Sequence, residues 1–296
     1  GGKGVIAIKV TARPVTDAGC WFILNPMQRS GAMDAREYVT EIVQRSGTSF
    51  FWAMRLLPGP KRDAMFAIYA FCREVDDIAD DPGAPADKLA GLAEWREEID
   101  RLYRGESSTP VTIALAGPVA EYDLPKKVFC EIIAGMEIDA AAPFRIADMN
   151  ELESYCDKVA CAVGRLSTRV FGIEESLGEA AAVALGQALQ LTNILRDLRE
   201  DAEIDRLYVP RELLESHGIG NSTTAWAALD HPAFGAACEE LAVIAEGRYR
   251  EAESALAACD SRMMRPAIVM MHVYRGLFRR LRRRGWNRPG DRVSVP

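Results

Sequence analysis

The sequence predicts an all-α protein: one helical domain with a central cavity. Apolar residues recur at helical spacing along most of the chain, β-branched runs are scarce, and Pro/Gly clusters fall where the periodic stretches end. With 296 residues, 49% of them hydrophobic, the chain can bury a large core. No strand-like alternation and no repeat of solenoid period stands out.

Taken in order, residues 1–33 hold two short apolar patches, Val5–Val10 and Trp21–Leu24, separated by polar residues and Pro. They do not make a signal-peptide core, so this stretch reads as a disordered or non-native extension, with Met33 a natural start. Residues 34–296 form the folded domain. Helices are expected at Ala35–Gln44, Gly59–Asp80, Ala86–Arg104, Pro125–Ala140, Asn150–Phe171, Leu177–Asp201, Pro210–His217, Pro232–Ala258 and Arg262–Arg284. Leu57-Pro58-Gly59-Pro60, Asp81-Pro82-Gly83-Ala84-Pro85 and His217-Gly218-Ile219-Gly220-Asn221 separate them. Pro210 suits a first helical turn, and Pro266 lies near a helix start where it is tolerated.

The net charge of −7 argues against nucleic-acid binding. From Met271 to Pro296, however, there are eight Arg and one acid. This basic end is either a solvated helix face or a surface for peripheral contact with anionic membrane. No apolar run reaches the roughly 20 residues that span a bilayer. The seven Cys contain no C-x-x-C, and three His are too few companions for a zinc site, so the thiols read as reduced and mostly buried. A cytoplasmic protein, peripheral at the inner membrane face, is expected.

Two acidic segments interrupt this pattern. At about 100° per residue, Tyr69, Arg73, Asp76 and Asp80 fall on one helix face, and Gln190, Asn193, Asp197 and Asp201 on another. The neighbouring faces are apolar, so each polar stripe points inward rather than to water. Buried like charges need a cationic partner. Two facing Asp pairs suit Mg²⁺, a hard ion that prefers oxygen ligands, with a diphosphate as the third party. Arg73, Arg196, Arg206 and Lys158 are the candidate cations, with Arg suited to bidentate phosphate contact. Because the carboxylates repel, Asp80→Ala or Asp197→Ala is expected to abolish turnover and leave the fold intact or firmer.

These residues resemble the squalene/phytoene synthase family. The resemblance runs from Tyr38 to Val293 and rests on several motifs. They are Ser49-Phe50 before Leu56-Leu57-Pro58, Tyr69-Ala70-Phe71-Cys72-Arg73 leading into Asp76 and Asp80, and Tyr155 with Val159-Ala160 and Gly164. Further along come Gln190-x-x-Asn193-x-x-Arg196-Asp197-x-x-Glu200-Asp201, Arg206-x-Tyr208-x-Pro210, and Asp291-Arg292-Val293. The wording around Asp76 is most similar to the bacterial presqualene diphosphate synthase branch, which works in hopanoid biosynthesis.

The resemblance implies an isoprenoid-synthase-type bundle holding two farnesyl diphosphates in a tunnel. It implies Mg²⁺ held by Asp76, Asp80, Asn193, Asp197 and Asp201, and diphosphates oriented by Tyr69, Arg73, Tyr155, Arg196, Tyr208 and Arg292. Gln190 and Arg206 would border the diphosphates, and Ser49, Phe50, Ala160 and Gly164 the prenyl chain. The small residues at 160 and 164 either let helices approach or leave room for the chain, whereas Phe51 and Trp52 read as core. The reaction would be a head-to-head condensation to presqualene diphosphate, passed on to squalene-forming enzymes. The alternatives are an NADPH-using squalene synthase, a phytoene synthase acting on geranylgeranyl diphosphate, and a non-catalytic assembly factor. No G-x-G-x-x-G follows a strand, and relatives that use NADPH lack that motif too. The four Asp with their Arg and Asn neighbours argue against the assembly factor.

Overall fold

The structure, a computed structural model, describes residues 34–46, 49–141, 143–220 and 224–286. The expected N-terminal extension and Arg292 lie outside the described residues. The chain opens with α1 (Ala35–Arg45), capped by the Asp34 side chain, and the short α2 (Ser49–Met54). Pro58 and Pro60 begin α3 (Gly59–Asp80), in positions where a missing N–H costs no helical bond. α4 (Pro85–Arg104) stops at Gly105, which takes the left-handed φ of 77°.

Next comes α5 (Pro110–Glu121), a helix that sequence periodicity did not reveal. It holds Gly117 and Pro118, both poor helix formers, in its interior. Thr109 and Thr112 close a capping box that offsets the weak interior. α6 (Lys126–Ala140) leads to β1 (Phe144–Arg145), and α7 (Met149–Cys156) to a π-helical turn (Asp157–Cys161) and α8 (Ala162–Phe171). α9 (Glu175–Arg196), α10 (Leu198–Glu203), β2 (Arg206–Leu207), α11 (Arg211–Ser216) and α12 (Ala225–Leu229) precede the long α13 (Phe234–Ala257) and α14 (Arg265–Arg284).

The fold is all-α, as expected, with one small departure. β1 and β2 pair in parallel, Phe144 opposite Arg206 and Arg145 opposite Leu207. Two residues per strand are too few to show alternation in a sequence.

Two predicted continuous helices are interrupted. The stretch 150–171 contains the π turn, whose wider coil pushes Val159 and Cys161 outward. Glycines receive it on both sides. A Cβ on Gly135 would meet Val159 Cγ1 at 2.5 Å, and one on Gly186 would meet the Cys161 backbone at 2.8 Å. The stretch 177–201 ends its first helix at Arg196, because Asp197 leaves helical geometry (φ −106°, ψ 22°). That departure lets its carboxylate reach the guanidinium of Arg196, a neighbour pair that a regular helix points apart.

α3 and α9 form the centre. Every residue from Ala64 to Cys72 of α3 and from Ala184 to Arg196 of α9 is buried. Both helices pack on α8, yet they share no extensive contact with each other, so they stand as two walls. α6 and the π turn complete the floor, and α13 and α14 back α9. Among the described residues no helix is long and apolar enough to cross a membrane. Two arginines of α14 pair with acids of α13: Arg275 with Glu246 and Glu253, and Arg282 with Glu239.

Candidate active site

The polar stripes are buried, as the phasing predicts. Asp76 is fully buried, Asp197, Asn193 and Asp201 nearly so, and Gln190 has no exposure. On α3, Arg73 lies beside this stripe. Its Nη2 is 2.5 Å from Asp77 Oδ1 and its Nη1 3.7 Å from Asp76 Oδ2. Tyr69 is buried one turn earlier, and burial pushes its hydroxyl up to about 12. On the opposite wall Arg196 Nε and Nη2 grip Asp197 at 2.6 and 2.5 Å, both side chains almost wholly enclosed. Asn193 Nδ2 donates to Gln190 Oε1 at 3.3 Å.

Arg206 ties the acidic end of α3 to α6. From β2 its Nη1 reaches Asp80 Oδ1 at 3.0 Å, and its Nη2 donates to the carbonyls of Ala79 (3.2 Å) and Asp139 (2.7 Å). The two-residue strand pair matters for this reason: it carries the guanidinium from the α10 side to the acidic end of α3. These ion pairs overturn the expectation that removing Asp80 or Asp197 firms the fold. Each already has a buried Arg partner, and taking it away strands a buried cation.

Sequence reasoning missed Asp139 and Tyr274. Asp139 is fully buried in α6 and accepts from Tyr155 Oη (3.0 Å) and Tyr208 Oη (2.7 Å). Burial raises its carboxyl to about 6, against the pull of Arg206 and the two phenols. In sequence it is one of three acids in its helix, without the i, i+4 partner that marked the stripes. Tyr274, buried in α14, faces Arg196 and Asn193, and nothing local in its basic helix signals this. Lys158 turns instead to Ser154, with Nζ 2.6 Å from its hydroxyl.

Beside the walls lies an apolar cavity. Phe50 and Met54 of α2, Met65 of α3, Ala160, Gly164 and Leu189 line it. It continues past Val163 to Tyr69 and Cys72 in one direction, and along α8 to Ser167 and Phe171 in the other. Gly164 answers both alternatives raised for the small residues. A Cβ there would sit 2.9 Å from that of Ala182, and the same residue borders the cavity. Ser49 lies in α2, the helix that supplies Phe50. Trp52 departs from its expected core position: it is 65% exposed, against Phe51 and under the Arg55 guanidinium.

The donor set suits a hard cation. It is all oxygen, and buried Asp80 Oδ2 and Asn193 Oδ1 have no hydrogen-bond partner among the described residues. No three His, Cys, Asp or Glu side chains converge among the described residues, so neither wall alone forms a closed cage. Such half-sites fit Mg²⁺, which keeps several waters and takes phosphate oxygens for the rest.

A family model described as squalene/phytoene synthase matches residues 43–296. Presqualene diphosphate synthase of Zymomonas mobilis is 42% identical over 248 residues, 83% of this chain and 84% of that protein. Phytoene synthase of Mycobacterium tuberculosis is 39% identical over 197 residues, 66% of this chain and 64% of that one. Among solved structures, squalene synthase HpnC from Alicyclobacillus acidocaldarius superposes with a TM-score of 0.75 at 26% identity, covering 89% of this chain and 99% of that one.

Proposed function

We propose that this chain, which belongs to the squalene/phytoene synthase family and is thereby a prenyltransferase, condenses two farnesyl diphosphates head to head to presqualene diphosphate. The observation that carries the reading is an apolar cavity bordered by Leu189 of α9 and reaching Tyr69 and Cys72 of α3, the two helices whose following turns carry the buried acidic residues. A prenyl tail needs the first and its diphosphate the second. The 42% identity to a presqualene diphosphate synthase directs the choice of substrate.

The residues divide the work. Asp76 and Asp80 on one wall, with Asn193, Asp197 and Asp201 on the other, would hold Mg²⁺, which neutralises charge developing on the leaving diphosphate. Tyr69, Arg73 and Arg196 orient the diphosphates, with Arg206 and Gln190 at the edge and Arg292 in the following segment. The donor's C1–O bond breaks, and its diphosphate leaves an allylic cation. The acceptor's C2–C3 double bond attacks that C1, and loss of a proton closes the cyclopropane. Phe50, Ala160 and Gly164 keep this path dry, since water would quench the cation to an alcohol. Ser49 is the first residue of the helix that carries Phe50. The product retains one diphosphate and a C30 skeleton, and squalene-forming enzymes would consume it, here for hopanoids.

A second reading, phytoene synthesis from geranylgeranyl diphosphate, draws on the 39% identity to a phytoene synthase. One product analysis separates them. The protein, with Mg²⁺ and without NADPH, is offered C15 and C20 diphosphates, and products are identified by mass spectrometry. Presqualene diphosphate from the C15 substrate is expected, and phytoene with an idle C15 substrate overturns the assignment. We further place residues 34–296 as the catalytic domain of a cytoplasmic protein that touches anionic membrane through its basic end. Exposed Arg279 and Arg283 support that contact.

A further inference from the structure

We infer that Asp139 is a positioning residue that fixes the polarity of two phenols at the active site, Tyr155 and Tyr208, so that both meet a carbocation with oxygen lone pairs rather than protons. The inference rests on the prenyl-condensing reading given above.

One carboxylate receives both hydroxyls. Tyr155 Oη donates to Asp139 at 3.1 Å (Oδ1) and 3.0 Å (Oδ2), and Tyr208 Oη donates to Oδ1 at 2.7 Å. All three side chains are buried, with the tyrosine rings tilted against each other at 5.1 Å and Phe144 packed on both. A phenol has a single proton. Once that proton is committed to Asp139, the oxygen can offer other groups only lone pairs. A diphosphate oxygen is itself an acceptor, so these two hydroxyls are poor ligands for it. They suit a positive centre instead, with a carboxylate behind them to polarise both O–H bonds.

The cluster is anchored to the acidic end of α3. The peptide carbonyl of Asp139 accepts from Arg206, whose other nitrogen holds Asp80. One residue of α6 therefore faces both ways: its main chain steadies the guanidinium that holds Asp80, and its side chain orients the two phenols. The separation matters for testing, because a side-chain substitution leaves the Arg206 contact in place.

Positive charge on the substrate exists only after the diphosphate leaves. A group that stabilises it acts on the transition state and not on the bound ground state. Asp139→Asn keeps the shape and the backbone contact. Its amide, however, replaces one acceptor oxygen by an N–H donor, so the phenol that faces it loses the acceptor for its proton. We expect kcat to fall at least tenfold with KM changed less than threefold, and a substitution with purely structural effect would move both or neither. Wild type is assayed on C15 and C20 diphosphates, and the variant on whichever is turned over. A wrong substrate reading thus appears in the wild type, and a wrong role for Asp139 only in the comparison. Tyrosine ring-carbon NMR of the substrate-free proteins gives a second readout: two resonances should shift in Asp139→Asn, one absent in Tyr155→Phe and the other in Tyr208→Phe. Should the Asn variant fail to fold, Tyr208→Phe decides, with a fall in kcat of about fivefold at constant KM. Unchanged kcat in the folded variant, or a loss confined to KM, overturns the inference.

Discussion

Asp80 and Asp197 sit among other carboxylates, yet neither faces a bare negative field. Arg206 lies 3.0 Å from the first and Arg196 2.5 Å from the second, all four side chains with at most 8% of their surface exposed. In such an enclosed pair the desolvation already spent on both ions makes loss of one partner costly. We expect Asp80→Asn and Arg206→Met each to cost about 3–5 kcal/mol, softened at Arg206 by its two carbonyl partners. The double variant should cost at least about 1 kcal/mol less than the sum, because neither ion is then left alone. Urea denaturation of the four proteins checks this, and strictly additive losses would show that the pair is not coupled. Both stripes were legible in the sequence from spacing and apolar flanks. The four candidate cations were legible too, but not that Arg206 is the one that takes Asp80, since it lies 126 positions away.

At the scale of elements, the decisive feature is the π turn at Asp157–Cys161. It sets Ala160 on the cavity wall and swells the helix toward α6 and α9. Gly135 and Gly186 are the spaces into which it swells. At Gly186 the colliding atoms are backbone N and Cα, which cannot swing aside as a side chain can. Gly186→Ala is therefore expected to destabilise by about 1–3 kcal/mol or more, despite the better helix propensity of Ala. Chemical denaturation measures it, and a stabilised variant would show that the π turn relaxes freely. The sequence shows a helix there but not its extra residue per turn, because apolar periodicity averages over several turns. α5 escaped for the opposite reason: its Pro118 and Gly117 speak locally for a break, and burial of Val111 and Leu115 outweighs them.

At the scale of the whole molecule, the two walls come from opposite halves of the chain and meet only through what bridges them. Mg²⁺ and diphosphate together should serve as that bridge. We expect inorganic diphosphate with Mg²⁺ to raise the melting temperature by more than the two separate effects combined. At a hundredfold excess over Kd the gain is about 2.7 kcal/mol. Asp80→Asn, on one wall, and Asp197→Asn, on the other, should each abolish the synergy in differential scanning fluorimetry, and persistence in either would mean that the ligand uses one wall alone. The sequence by itself determined that this is a helical protein, that two helices carry inward polar stripes, and which family it belongs to. Those properties depend on residue type and on spacing within a few turns, where chain geometry is regular. Only the tertiary structure decided that Arg206 holds Asp80, that Asp139 joins Tyr155 to Tyr208, and that α2 and α8 enclose a cavity. Such contacts link residues 16 to 126 positions apart, and whether they meet depends on packing of the entire core rather than on any local pattern.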